Sequence, residues 1–468
     1  MLAATVVAAL GLTCCAQGPG KGYSWEGDLR YRLGVDFCRT RADVTAYIRK
    51  YIPDVSEEQI DEWSSDGRLE NMTLGGKVYY FRNAAPNLFR IDPRCKAIKD
   101  SLEGGKDDSS QVSLSGNSLE KYEKVDREHL PEILSSSPGI CAPKRMKVHY
   151  SVTLDGNVVP KGETVRVWLP FPRRDVTRQK DVTFLGAWSQ DDKGKELLSA
   201  TPSDLSKVHF SDPSFKHSTL YMEVPSTGGE MSFHEEFIYT VYGQYERDLE
   251  NRVLPYDRTT DLYREFTSER PPHIVFSERI RTLTDEITSG IDNPFLQAKA
   301  IFTYIDRNFP WASAREYSTV GNIPEYVLDN SHGDCGMVTL LFCTMCRYKG
   351  IPTHFQSGFM MHPGGWNLHD WAEAYFEGVG WVPVDQSFGI PPYAEGDYLA
   401  KYPESKYFFA SGIDSWRMVV NEDWGCPLDP AKTYPRSETV DFQRGELEWK
   451  GGNIYFPHWD YHMDIEYR

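Results

Sequence analysis

No stretch of this 468-residue chain approaches the ~18 consecutive apolar residues that a membrane-spanning helix requires. Basic residues are also in deficit, with 51 Lys and Arg against 68 Asp and Glu, a net charge of −17. A surface that grips nucleic acid through its phosphates needs the opposite balance, so that class is excluded. An anionic membrane is a poor partner for the same reason, unless a covalent lipid supplies the attachment. Cysteine is scarce, nine in all, too few for a disulfide scaffold and too scattered for paired zinc ligands. Internal repeats are missing as well. What is present is 40% hydrophobic and 13% aromatic residues, enough to fill cores in about two to four domains.

Residues 1–12 read MLAATVVAALGL, uncharged and apolar, and are followed by Thr13, Cys14, Cys15, Ala16 and Gln17. The run is too short to cross a bilayer and matches the apolar region of an export signal, here taken as residues 1–16. A lipobox-like reading would make Cys15 a lipidated N-terminus; a small-x-small reading would place ordinary cleavage after Ala16. The expectation is an exported protein at the periplasm or cell surface, with Cys15 the candidate lipid anchor. Seven cysteines lie beyond this segment, an odd number that leaves at least one thiol unpaired in an oxidising compartment.

The fold class expected is α+β. Residues 23–100 form a small helical, winged-helix-like unit: a helical face at Val44, Tyr47, Ile48 and Tyr51, a second helix capped by Ser56, then a turn at Gly75-Gly76 before the strand Lys77 to Phe81. Cys38 and Cys95 flank this unit and could pair. Residues 101–140 begin rich in Ser, Gly and Asp without periodicity, as a linker or insertion does. Residues 141–250 alternate in several short runs, such as Thr164 to Leu169, and predict a β-sandwich. Helices return in residues 251–425, with Phe295, Ala298, Ile301, Phe302 and Ile305 on one face, and residues 426–468 read as a β-rich tail.

Chemistry concentrates between Asn330 and Gly389. Cys335 opens an apolar helix that stops at Gly350-Ile351-Pro352. A helix start supplies unpaired N–H groups and partial positive charge, which favour a thiolate and can steady a developing oxyanion. Further on, Trp366 to Phe376 and Trp381 to Asp385 read as a hairpin that could bring His369 and Asp385 together. A Cys, a His and an acid so placed are the parts of a nucleophile, its base and the group orienting the base.

Four motifs in order, Gly333-Asp334-Cys335, Gly350-Ile351-Pro352, His369-Asp370-Trp371-Ala372-Glu373 and Gly380-Trp381-Val382-Pro383-Val384-Asp385, resemble the transglutaminase-like superfamily. The resemblance is close over about 60 residues and weaker back to about 270. It implies a papain-like core, with Cys335 as nucleophile, His369 as base and Asp385 as orienting acid. It further implies a cysteine peptidase, amidase or acyltransferase acting on a peptide, protein or cell-wall amide through a thioester, hydrolysis favoured. No cofactor and no metal are implied. The preceding sandwich is similar to the strand domain found before the core in bacterial relatives. Gly336 departs from the aromatic residue that follows the nucleophile in animal cross-linking enzymes. Trp311, Gly336 and Trp371 are the candidate cleft or oxyanion residues. The alternative is a scaffold that keeps this fold and binds a peptide or glycan without catalysis. Cys343 and Cys346 read as core packing, and His458, Asp460, His462 and Asp464 as one solvated strand face.

Overall fold

A computed structural model describes residues 24–103 and 119–468 of the chain. The export-like segment, with Cys15, lies outside the described residues. The architecture is α+β, as the sequence patterns require. At the N-terminal end, helices Trp25–Asp36, Arg41–Ile48 and Glu57–Ser65 precede the hairpin Asn71–Leu74 and Lys77–Tyr80, and helices Ala84–Ile91 and Pro93–Glu103 follow it. Ser56 caps the third helix by accepting from the Gln59 N–H at 3.2 Å. The unit has its own core around Ile48, Ile60, Phe81 and Leu88. Cys38 and Cys95 do not pair: both are free, one exposed and one buried.

The segment expected as a linker contains a helix, Leu119–Ser136. Its apolar residues Leu130, Ile133 and Leu134 are buried in the core of the neighbouring domain, and its Asp126 reaches His362 at 3.0 Å. That helical spacing lies beyond the Ser- and Gly-rich stretch, whose composition does not extend over the whole interval.

The β-sandwich pairs two sheets. One runs, in order, Trp459–Tyr467, Gly139–Leu154, Met231–Tyr245, Gln179–Asp191 and Glu196–Ala200; Gly412–Ile413 pairs with Met231–Tyr245. The other runs Gly452–Ile454, Glu446–Trp449, Thr164–Pro170, Thr219–Pro225 and Val208–Phe210. Three of these strands come from the chain's end, so the expected tail is part of the sandwich. Trp459 to Tyr467 align with Leu154 to Met146 along one edge. The physical reason is edge satisfaction: the strands Gly139–Leu154 and Thr164–Pro170 would otherwise leave rows of backbone groups unpaired.

The remaining domain sets helices Pro294–Asn308, Ile323–Asn330 and Cys335–Tyr348 against a four-stranded antiparallel sheet. Its strand order is Gly380–Val384, Gly365–Phe376, Thr353–His362 and Arg417–Asn421. The helix Cys335–Tyr348 is buried from Gly336 to Arg347, including Cys343 and Cys346, which serve as core. No helix among the described residues is long and apolar enough to cross a membrane.

Candidate active site

The Cys335 helix begins where the sequence directs it to. Asp334 is the N-cap and its carboxylate accepts from the Met337 N–H at 3.1 Å. Tyr317 donates its hydroxyl to the same carboxylate at 2.6 Å. Gly336 lies beneath that hydroxyl: a Cβ there would run into Tyr317 and come 2.8 Å from Asp370 Oδ2. Only glycine admits these neighbours without displacing them, which accounts for the departure at this position. Just before the helix, Gly333 pairs with Trp311 across an isolated bridge, its carbonyl accepting from the Ala312 N–H at 3.1 Å. Trp311 is therefore held beside the turn before Cys335 and is 37% exposed, with the Arg90 guanidinium 5.1 Å over its ring.

His369 and Asp370 are consecutive on the strand Gly365–Phe376 and hold different partners. His369 Nε2 lies 2.7 Å from Asp385 Oδ2. An ionised carboxylate only accepts, so Nε2 carries the proton and Nδ1 is left as the basic nitrogen. Asp385 is fixed in turn by Arg417 at 3.0 Å and by the N–H groups of Ser387 and Phe388. Burial would raise the Asp385 pKa, but His369 and Arg417 outweigh it and hold the carboxyl below its ordinary value. Burial lowers the His369 pKa, with Asp385 acting against it, which keeps the imidazole neutral and able to take a proton.

Asp370 takes the other direction. The Cys335 thiol donates to Asp370 Oδ2 at 3.2 Å, and Gln443 donates from Nε2 to Asp370 Oδ1 and to the His369 carbonyl, both at 2.9 Å. Side chains alternate across a strand, and the packing shows which face each residue takes. Ala372, Ala374 and Phe376, in step with Asp370, join the core that contains Met337 and Leu341 of the Cys335 helix. Trp371, in step with His369, packs with Val176, Ile413 and Val419. Among the described residues no hydrogen bond joins Cys335 to His369. Burial, then Asp370 and Asp334, pushes the Cys335 thiol well above its ordinary pKa.

Of the candidate cleft residues, Trp311 and Gly336 lie beside Cys335, whereas Trp371 stacks on the His369 ring at 5.9 Å from within the core. Its indole is fully buried and donates Nε1–H to Gln356 Oε1 at 2.6 Å, a core role that follows from its place in the strand's alternation. Sequence reasoning gave no role to Asp370, Arg417, Gln443 and Tyr317. Asp370 left a signal, an acid directly beside His369 in the same strand. Arg417 and Gln443 left none, being distant along the chain in segments of ordinary composition.

Residues 281–386 match the family model described as the Transglutaminase-like superfamily. The chain carries a transglutaminase-like domain. A curated relative, the uncharacterized protein YebA of Bacillus subtilis (strain 168), is 25% identical over 131 residues, which are 24% of this chain and 18% of YebA. The chain thus matches less than a fifth of that relative's length. A solved structure from Cytophaga hutchinsonii, described as a candidate cysteine protease, is 12% identical with a TM-score of 0.43, covering 70% of this chain and 92% of that one. The periplasmic domain of TgpA from Pseudomonas aeruginosa is 14% identical with a TM-score of 0.26, covering 54% and 92% respectively. The transglutaminase-like segment here includes the Cys335 helix and ends one residue past Asp385.

Proposed function

We propose that this chain is an exported cysteine-dependent enzyme that attacks an amide or peptide bond and passes through a thioester acyl-enzyme. Cys335 is the nucleophile in this reading, His369 the base and Asp385 the acid that orients it. The observation that carries it is the buried His369–Asp385–Arg417 series, which fixes the imidazole tautomer, on the strand whose next residue holds the Cys335 thiol. A carbonyl carbon entering beside Trp311 would meet the thiol at a helix start, where N–H groups can donate to the oxyanion. Water as acyl acceptor gives hydrolysis; a primary amine gives transfer. Water is the favoured acceptor, and the substrate class is a peptide, protein or cell-wall amide. The apolar leader followed by Cys14 and Cys15 supports export to the periplasm or cell surface, with a lipid on Cys15 as the tighter form of attachment.

The test is release of new amino groups from denatured protein and from cell-wall peptides, with the covalent adduct followed by intact mass. Wild type is expected to release amines and to carry a thioester-linked mass at Cys335, and Cys335→Ala to do neither. Equal behaviour of the two proteins on both substrates would overturn the reading. One observation favours a second reading, a non-catalytic scaffold: the thiol is bonded to a carboxylate, which disfavours its ionisation. A scaffold would bind peptide or glycan equally well as Cys335→Ala.

A further inference from the structure

Two side-chain clusters outside the His369–Asp385 pair have the ligand types of a metal site, and the chain already supplies positive charge to each. Asp126, His362 and Asp414 converge, but Arg417 occupies Asp414 at 2.6 Å. His354, Glu373 and Glu422 converge with the buried Arg178 acting on both carboxylates. The N-terminal unit is a different case, because several of its polar contacts converge on residues 313–319, beside the nucleophile's turn.

We propose that the N-terminal unit forms a wall of the active site, and that its Asn87 is a positioning residue that holds Trp311 where a peptide passes on its way to Cys335. This rests on the cysteine-dependent reading above and extends it to how the site engages a substrate chain.

Asn87 lies in the helix Ala84–Ile91 and is buried. Its Nδ2 donates to the Ser313 carbonyl at 2.9 Å, and its Oδ1 accepts from the Ser313 N–H at 3.0 Å. One primary amide thus satisfies both backbone groups of a buried residue, as a neighbouring strand would. Between Ser313 and Trp311, the Ala312 N–H donates to the Gly333 carbonyl at 3.1 Å. The segment is therefore gripped from one side by the N-terminal unit and from the other by the turn that leads into Cys335. Arg90, one helical turn beyond Asn87, extends the grip: its Nη1 lies 3.3 Å from both Asn87 Oδ1 and Ser313 Oγ, and its guanidinium lies 5.1 Å over the Trp311 ring.

A second grip follows along the chain. The Glu316 N–H donates to Asp36 Oδ2 at 3.0 Å, and Arg82 bridges Asp36 and Glu316 at 3.3 and 2.9 Å. The next residue is Tyr317, whose hydroxyl holds the Asp334 cap of the Cys335 helix. The two grips divide the labour. Asn87 sets the Trp311 end of the segment, and Asp36 with Arg82 sets the Tyr317 end. Asn87 binds backbone alone, which leaves the part-exposed indole to meet a substrate. Truncating Asn87 strips two buried backbone groups of this partner, so the segment must shift to satisfy them elsewhere. A wall displaced by a fraction of a residue no longer orients an amide toward the thiol, and small misplacements of this kind cost large factors in rate.

The test compares two reagents on Cys335 in the full chain: iodoacetamide, small enough to need no wall, and benzyloxycarbonyl-Phe-Ala-fluoromethyl ketone, a peptidyl reagent that lies along it. Labelling is followed by intact mass in wild type, Asn87→Ala, Trp311→Ala and the double variant, with circular dichroism and thermal unfolding confirming each fold. Asn87→Ala should react about tenfold or more slowly with the peptidyl reagent, while iodoacetamide labelling stays within about twofold, because the Tyr317 end is still held. Trp311→Ala should lose a similar factor, and the double variant no more than the larger single loss, since both changes remove one wall. Asn87→Asp keeps the acceptor for the Ser313 N–H and loses the donor; an intermediate loss is expected, and it carries the comparison if the alanine variant does not fold. An Asn87 variant that reacts as wild type, equal slowing with both reagents, or single losses that multiply in the double variant would each overturn the proposal and leave the cysteine-dependent reading standing. Labelling of wild type by iodoacetamide alone would do the same. If neither reagent labels Cys335 in wild type, both fall together.

Discussion

Two consecutive residues on one strand, His369 and Asp370, lie in opposite electrostatic worlds. On the His369 side, Asp385 has a full-charge partner in Arg417 and backbone donors from Ser387 and Phe388, so burial is answered with positive charge. On the Asp370 side, the buried neighbours Asp334, Glu438 and Asp441 are acids, and the direct donors are a thiol and an amide. One carboxyl is held below its ordinary pKa and the other well above it. Residue type therefore says little about the charge state at this site. Which face of the sheet a side chain takes decides it, because desolvation is common to both and only the partners differ.

The sharpest way to break the contrast is to remove the cation. Arg417 is fully buried, bonded to Asp414 at 2.6 Å and to Asp385 at 3.0 Å. Arg417→Met fills the same space but removes the cation shared by two buried carboxylates, leaving Asp385 to His369 and Asp414 to His362, and removing one side of a buried pair costs about 3–5 kcal/mol. Urea unfolding at pH 7 should show that loss. The sign with pH follows from the directions. In wild type, Asp385 and Asp414 are depressed, so their contribution is complete above the unfolded carboxyl value near 3.9 and fades as pH falls through the folded values. In the variant both carboxyls are raised instead, so its deficit should narrow steadily between pH 7 and pH 4. A deficit that is constant with pH would assign Arg417 a packing role only.

The second test concerns the approach on the Asp370 side. Alanine is the better helix former by about 1 kcal/mol, so on propensity alone Gly336→Ala would stabilise the helix. The Cβ would collide with the Tyr317 hydroxyl and crowd Asp370, and overpacking of this kind costs about 1–3 kcal/mol. A net loss of about 1 kcal/mol by thermal or urea unfolding is expected, together with a changed alkylation rate at Cys335. A net gain would mean that Tyr317 moves freely and that the close contact does not define the site.

The sequence carries the fold unevenly, and the reasons are physical. The Ser56 cap, the Gly75-Gly76 turn, and the helix that begins at Cys335 and stops before Pro352 are local signals, complete within a few residues, and each appears where its pattern predicts. The strand Gln179–Asp191 was not legible: residues such as Lys180, Asp181 and Gln190 break its alternation, and bulges shift its register against Met231–Tyr245. The joining of the C-terminal strands to the sandwich was not legible either, since Met463 opposes Tyr150 across more than 300 residues of chain. For the site, spacing was enough to bring His369 to Asp385, two strands joined by a tight turn with Gly378 and Gly380 at positive φ. It could not assign Asp370 to the thiol, because a one-residue difference in strand phase exchanges the two faces, and sequence alone does not say which face the helix covers.

The smallest expected effect is also the one that tests the contrast in reverse. Asp370→Asn keeps the shape and the oxygen that receives the Gln443 donor, and it removes the ability to ionise. Because the folded pKa is raised, the folded state penalises the charged form, so Asp370 contributes nothing unfavourable below the unfolded value near 3.9 and progressively more as pH rises toward the folded value. The asparagine variant should therefore match wild type at pH 3–4 and exceed it in stability at pH 8. Asp385→Asn, compared at the same two pH values, should fall below wild type at pH 8 and approach it in acid. Two substitutions of one kind, on the two ends of the same network, would then move stability in opposite directions. If both destabilise at pH 8 by similar amounts, Asp370 is compensated by donors as Asp385 is, and the thiol faces a stable carboxylate rather than a strained one.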